Sequence, residues 1–183
     1  MKVLGLSGSM RENGNTSALV KAVLEPCREA DIETEFVSLA GKEIRPCIGC
    51  ERCRVKGTCA AEGDDWQSIA DKVLDCEVLV IGTPTYFYDV CGQLKNFIDR
   101  TYSLYHERRL SGRSGVAVAV MADSGGERAI ETIEGFLNTH RFSFLGFVMG
   151  RGYPPGDVLK DAAAVSKARE VGTRIVHLLK PED

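Results

Sequence analysis

Residues 78–81, Val78-Leu79-Val80-Ile81, form an unbroken apolar and largely β-branched run. A strand reads this way when both of its faces are covered, as in a parallel sheet with helices on each side. Val3 to Leu6 and Val116 to Met121 read alike, and Thr34 to Leu39 and Phe144 to Met149 also have strand character. Helical periodicities separate these runs. Leu19, Ala22 and Val23 share one face, and Trp66, Ile69, Val73 and Leu74 share another. Leu94, Phe97, Ile98 and Tyr102 mark a third helix, and Ile130, Ile133 and Leu137 a fourth. A last helix runs to about Leu179 with Val165, Ala168, Val171, Ile175 and Leu178 facing inward. Asn15 or Thr16 is the expected N-cap of the first helix and Asp64 or Asp65 that of the second, while Pro26 should kink the first helix or end it early. Five alternations of strand and helix predict an α/β fold: a doubly wound, five-stranded parallel sheet with helices on both faces. No repeat, linker or low-complexity stretch interrupts it, so residues 1–183 read as one domain.

The unusual loops all follow strands: Ser7–Ser17, Ala40–Gly63, Thr83–Tyr88 and Ala122–Gly126. Ligands of open parallel sheets bind outside the carboxyl ends of the strands, so these loops are expected to converge on one edge. A net charge of −3, with no basic run, argues against nucleic acid or an anionic membrane as partner. The apolar start of the chain is too short for a signal peptide, and no run approaches the ~20 residues of a membrane span. The expected location is cytoplasmic.

Ser7-Gly8-Ser9-Met10-Arg11-Glu12-Asn13-Gly14-Asn15-Thr16-Ser17 joins the first strand to a helix N-terminus. Glycines admit close approach of backbone amides, hydroxyls add donors, and the helix dipole with Arg11 favours an anion, so the loop reads as a phosphate cradle. It lacks the Lys-Ser/Thr ending of a nucleoside triphosphate loop and the G-x-G-x-x-G of a dinucleotide site. A plain strand-to-helix turn with a good cap is the alternative. Thr83-Pro84-Thr85-Tyr86-Phe87-Tyr88 offers a rigid turn and three aromatic faces, suited to the edge and face of a planar heterocycle or to covering the sheet end. Asp123-Ser124-Gly125-Gly126 is the least distinctive of the loops, and Ser124 reads equally as a helix cap. A phosphate loop after the first strand and an aromatic loop after the third is the arrangement that holds flavin mononucleotide in a flavodoxin-like sheet.

Between the second strand and the next helix, residues 46–63 hold four of the chain's seven cysteines, Cys47, Cys50, Cys53 and Cys59, spaced C-x2-C-x2-C-x5-C. Thiols that fill cores are scattered singly. In a reducing compartment such a group reads as a metal or redox site, not as disulfides. Zinc sites usually use separated C-x2-C pairs. Three cysteines at a strict interval of three suit a [4Fe–4S] cube, and Gly49 and Gly57 give the chain the freedom to turn around it. Zinc and a thiol switch remain the alternatives. Cys27 and Cys76 read as core or helix-face cysteines, and Cys91, just beyond the aromatic loop, as structural with a position near the flavin as the alternative. His106, His140 and His177 form no ligand cluster, and the last two sit where a helix C-terminal dipole acts on them. Lys95 and Asp99 form an i,i+4 pair on a solvated face, and nothing resembles a nucleophile–base triad or a paired-carboxylate site.

The stretch Gly8-Ser9-Met10-Arg11-Glu12-Asn13-Gly14-Asn15-Thr16-Ser17 resembles the GSxRxxGNTS phosphate loop of the NAD(P)H-dependent FMN reductase branch of the flavodoxin-like superfamily. Thr83-Pro84-Thr85-Tyr86-Phe87 resembles its flavin-ring loop, and Lys95-Asn96-Phe97-Ile98-Asp99-Arg100 the helix that follows. The compact cysteine run is similar to that of the iron–sulfur flavoproteins within this branch. The resemblance implies an FMN-dependent oxidoreductase with FMN and one [4Fe–4S] cluster per chain, assembled as a homodimer or homotetramer. Ser9, Arg11, Asn15, Thr16 and Ser17 would then hold the phosphate. Pro84, Thr85, Tyr86, Phe87 and Tyr88 would hold the flavin ring with help from Ser124 and Gly125, and Cys47, Cys50, Cys53 and Cys59 would hold the cluster. It also implies a ferredoxin-like electron donor and small acceptors such as quinones or oxygen species. The rivals are an NAD(P)H-dependent FMN or quinone reductase without a cluster, and a non-catalytic flavodoxin-like carrier.

Overall fold

The computed structural model describes residues 1–181. Its elements are β1 (Lys2–Ser7), α1 (Asn15–Glu29), β2 (Glu33–Ser38), α2 (Cys53–Lys56), α3 (Trp66–Leu74), β3 (Val78–Tyr86), β4 (Asp89–Val90), α4 (Gly92–Arg100), α5 (Tyr102–Tyr105), β5 (Ser114–Met121), α6 (Gly126–Thr139), β6 (Ser143–Arg151) and α7 (Ala162–Leu179). The five long strands are parallel in the order β2-β1-β3-β5-β6, as a doubly wound sheet requires. Alternate strand residues divide between two cores. Leu4, Leu6, Leu79, Ile81, Ala117 and Ala119 pack under α3, α4 and α6, while Val3, Val78, Val80, Val116, Val118 and Val148 pack under α1 and α7. Both faces are dry, which is why the strands read as continuous apolar runs rather than alternating ones. No described helix is long and apolar enough to cross a membrane.

The structure corrects several local expectations. α1 does not stop at Pro26 but runs three residues further, to Glu29. Pro26 lies in the last turn, where the amide it lacks serves one carbonyl, and its ring is buried against α7. The contact is with Gly172, where a Cβ would lie 2.8 Å from Pro26 Cγ and 2.4 Å from the Val23 carbonyl oxygen. The N-cap of α1 is Gly14, which offers no side-chain cap, whereas the N-cap of α3 is Asp65, as one of the two expected alternatives had it, and the side chain that accepts from the first amide of α3 is that of Asp64. In α7 Leu178 faces solvent and Leu179 is buried, a shift of one residue that the 3.6-residue period settles only with packing in hand. The expected loop after the third strand is largely a hairpin. β3 continues to Tyr86 and β4 returns antiparallel, pairing Thr85 with Val90 and Tyr86 with Asp89.

His140 is a further correction. It caps the C-terminus of α6, where a dipole would favour its charged form, yet it is buried, with Nε2 2.9 Å from the Thr101 hydroxyl. Burial wins and pushes its pKa down from 6.5 to about 4. The unfolded chain therefore binds a proton first as pH falls. The His140 contribution to stability is complete above about pH 6.5 and is lost progressively toward pH 4, by about 3 kcal/mol in total. Urea midpoints measured across that window are expected to fall more steeply for the wild type than for His140→Gln. Equal slopes would show that the imidazole is protonated in place.

Candidate functional site

The carboxyl edge of the sheet carries one cavity lined by Ser9, Arg11, Asn15, Thr16, Pro84, Thr85, Tyr86, Val120, Ala122, Gly152 and Tyr153. Seven of these are residues singled out from the sequence. The Ser9 hydroxyl donates to the Arg11 carbonyl and accepts from the Arg11 amide, which curls the first loop. A Cβ at Gly14 would lie 2.8 Å from Ser9 Oγ, so this curl needs a glycine there. Without a side-chain cap, the first amides of the 15-residue α1 remain available to an anion. Gly8 is held from beneath: its amide donates to the Gly82 carbonyl at 2.7 Å, and its carbonyl accepts from Cys91 Sγ at 3.0 Å. Cys91 is buried and its thiol pKa is pushed up, chiefly by burial, so it serves as a fixed donor. Thr85 Oγ1 is buried with no hydrogen-bond partner among the described residues. A buried hydroxyl left unpaired in a cavity fits a polar ligand edge, and together with the bare helix N-terminus it fits the phosphate and ring of FMN.

The remaining expected residues are placed differently. Ser17 is buried and its hydroxyl shares a hydrogen bond of 3.0 Å with that of Ser7. Asn15 lines the cavity but uses both ends of its amide on the loop after β6, donating to Pro154 O at 2.8 Å and accepting from Val158 N at 3.2 Å. Phe87 and Tyr88 form the two-residue turn of the β3–β4 hairpin, with φ of 48° and 68°. Left-handed backbone at two aromatic residues is strained and is found where a local structure must be held. Phe87 is fully exposed at the tip, and Tyr88 lies over Gly125, the N-cap of α6 at φ 88°, where a Cβ would come within 2.3 Å of the ring. Ser124 is exposed beside it. Gly152 and Tyr153 are the wall that sequence reading missed. Arg11 reaches this loop, donating to Tyr153 O at 3.2 Å. The Gly152-Tyr153-Pro154-Pro155-Gly156 turn after a strand was the available signal.

A second cavity, of about 260 Å³, is lined by all four clustered cysteines together with Arg45, Arg52, Arg100, Tyr102 and Ser103. It shares no lining residue with the first. The cysteine loop leaves the carboxyl end of β2 but packs against the end of α4 and the start of α5, so it does not join the other loops in one cleft. Gly49, Glu51 and Gly57 have φ of 64°, 54° and 70°, giving the tight turns expected of the loop. Cys53 opens the single-turn α2. Its thiol pKa is raised first by burial and then by the nearby Cys59, Cys50 and Cys47. Among the described residues no three His, Cys, Asp or Glu side chains gather around a single ion position. The four cysteines instead line one cavity far larger than the roughly 15 Å³ that one water needs. That disposition fits a cube in which each thiolate meets a different iron.

The neck of the loop is closed by a buried ion pair. Arg100 and Asp64 have side chains 0% and 1% exposed and are hydrogen-bonded to each other. Arg100 also donates to Ala61 O at 3.0 Å and Arg45 O at 3.4 Å, so it grips both sides of the loop, and it lies 4.9 Å over the Trp66 ring. Asp64 accepts from the Arg45 amide at 2.9 Å and the Trp66 amide at 3.3 Å. Burial alone would raise the Asp64 pKa, but the Arg100 guanidinium and these amides hold it below the usual range. Burial likewise works against the Arg100 charge, and Asp64 and the adjacent Cys59 outweigh it.

The chain is similar over most of its length to known flavoproteins. An iron–sulfur flavoprotein of Methanocaldococcus jannaschii is 38% identical over 190 residues, covering 98% of each chain. An iron–sulfur flavoprotein of Archaeoglobus fulgidus is 31% identical over 179 residues, covering 96% of this chain and 79% of its own. The solved structure of Trp repressor binding protein from Bacillus subtilis superposes with a TM-score of 0.71 at 26% identity, over 92% of this chain and 99% of that one. Residues 1–150 match the family described as NADPH-dependent FMN reductase. The chain belongs to the NADPH-dependent FMN reductase family, a family of FMN-dependent oxidoreductases.

Proposed function

We propose that this protein is a redox flavoprotein that holds FMN in the Ser9–Tyr86 cavity and a [4Fe–4S] cluster on Cys47, Cys50, Cys53 and Cys59. It links a one-electron donor of ferredoxin type to small acceptors such as quinones or oxygen species. The observation that carries this reading is that four thiols line one cavity in a chain of an FMN-binding family. The iron–sulfur flavoproteins to which it is similar over nearly its whole length support it further.

FMN exchanges one or two electrons and the cluster one, which is the chemistry these groups supply. The chain's own residues hold and orient them. The first amides of α1 and the Ser9 loop cradle the phosphate, with Arg11 adding charge at the rim. The Thr85 hydroxyl meets a polar edge of the ring, and Tyr86 stands beside it. Pro84 and the Cys91 bond to Gly8 keep the two loops in register. The assembly is a homodimer or homotetramer, which the exposed apolar side chains Ile48, Val55 and Phe87 support.

Anaerobically purified protein tests the reading by FMN, iron and sulfide content and by visible and EPR spectra before and after reduction. One FMN with four irons and four sulfides per chain is expected. One zinc and no iron would refute the cluster reading in favour of an NAD(P)H-dependent FMN or quinone reductase without a cluster, for which turnover with NAD(P)H is the separate test. Sedimentation as a monomer would refute the assembly.

A further inference from the structure

We propose that Arg100 is the hydrogen-bonding partner of the cysteine-bound cluster, giving its Nε–H to a sulfur beside Cys59 and so raising the cluster's reduction potential. This rests on the [4Fe–4S] reading above. Arg100 is fully buried and lines the cysteine cavity. Nη1 serves Asp64 and Arg45 O, and Nη2 serves Ala61 O. Nε has no partner among the described residues. A buried N–H without an acceptor is costly and rare in folded proteins. In a cavity lined by four thiols the missing acceptor is an anionic sulfur, since no protein oxygen meets this donor.

Arg45 and Arg52 line the same cavity, but they are exposed, and water and salt screen them. Arg100 is not screened. Its Asp64 partner cancels most of its charge at a distance, so the remaining influence is the short N–H···S contact. Reduction adds one electron to the cluster and no proton to the guanidinium. The sulfurs become richer in charge, the hydrogen bond strengthens, and the reduced form is favoured.

Two variants separate this from a merely structural clasp. Arg100→Lys keeps a positive charge for Asp64 but has a methylene in place of the Nε–H. Arg100→Gln combined with Asp64→Asn leaves no buried charge unpaired, and it carries the measurement if Arg100→Lys does not fold. Both are reconstituted anaerobically as full chains with FMN, and the cluster midpoint is read by EPR-monitored titration. The midpoint is expected to fall in each by at least tenfold in the reduction equilibrium, about 59 mV for one electron. In wild-type protein grown with 15N-arginine, the reduced cluster is expected to show a nitrogen coupling that Arg100→Lys removes. Iron-loaded variants with the wild-type midpoint and an unchanged coupling would overturn the proposal while leaving the cluster in place. A wild-type chain that takes up no iron would overturn the cluster reading, and this inference with it.

Discussion

Cys53→Ala is expected to abolish the intact cluster's EPR signal and bring bound iron from four per chain to near zero, while FMN stays at one per chain. Cys53 is the middle thiol of the C-x2-C-x2-C run and the first residue of α2. Its half-buried sulfur is influenced by all three of the other thiols, so its loss removes a corner that no other group near the cavity supplies. The flavin cavity shares none of its lining with the cysteine cavity, so it is unaffected. Iron analysis and flavin absorbance on the same sample make the comparison. Cys76→Ala is the control, because that thiol is buried far up the titration scale at about 12 and bonds the Val73 carbonyl. Loss of FMN along with iron would mean that the loop also supports the flavin site.

Asp64→Ala is expected to destabilise the fold by about 3–5 kcal/mol, the range for removing one partner of a buried ion pair. Arg100 would be left charged without its carboxylate, and the Arg45 and Trp66 amides would lose their acceptor. Asp64→Asn keeps those amide bonds and should cost less. The depressed Asp64 pKa makes the same contact sensitive to acid. Its contribution is complete above the ordinary carboxylate range, near pH 4, and is lost as pH drops through the lower folded value. Chemical denaturation at pH 7 measures the first effect. An Asp64→Ala chain as stable as the wild type would show that the neck is held by the Glu43–Asp65 bonds alone.

The sheet was legible because its strands are covered on both faces, so Val78-Leu79-Val80-Ile81 and its counterparts carry the signal without any partner information. Pro26 was misread because the lost amide bond to Ala22 is a local cost visible in sequence, whereas what outweighs it is the packing of the ring into a gap opened by Gly172, 146 positions away in sequence. His140 was misread for a related reason: the dipole is local, but its burial comes from the α4–α5 junction at Thr101. In the flavin cavity the seven lining residues predicted all come from two loops with unusual composition. Gly152 and Tyr153 join them only because Arg11 and Asn15 reach across to the loop after β6, a contact that no local pattern announces. The separation of the two cavities was likewise invisible, since both the phosphate loop and the cysteine loop leave the same edge of the sheet.

Between Pro46 and Gly63 no residue is buried, and the two ends of this segment are fastened by the buried Arg100–Asp64 pair and by the two hydrogen bonds between Glu43 and Asp65, one backbone to backbone and one from the Glu43 amide to the Asp65 carboxylate. Of this segment only the partly buried Cys59 packs against a hydrophobic core. The cysteine loop is therefore an attachment to a finished protein rather than a part of its foundation. If the proposed cluster is bound there, its assembly can follow folding, because Cys47 and Cys50 are exposed at the surface. Loss of such a cluster would likewise leave the sheet and both hydrophobic cores folded.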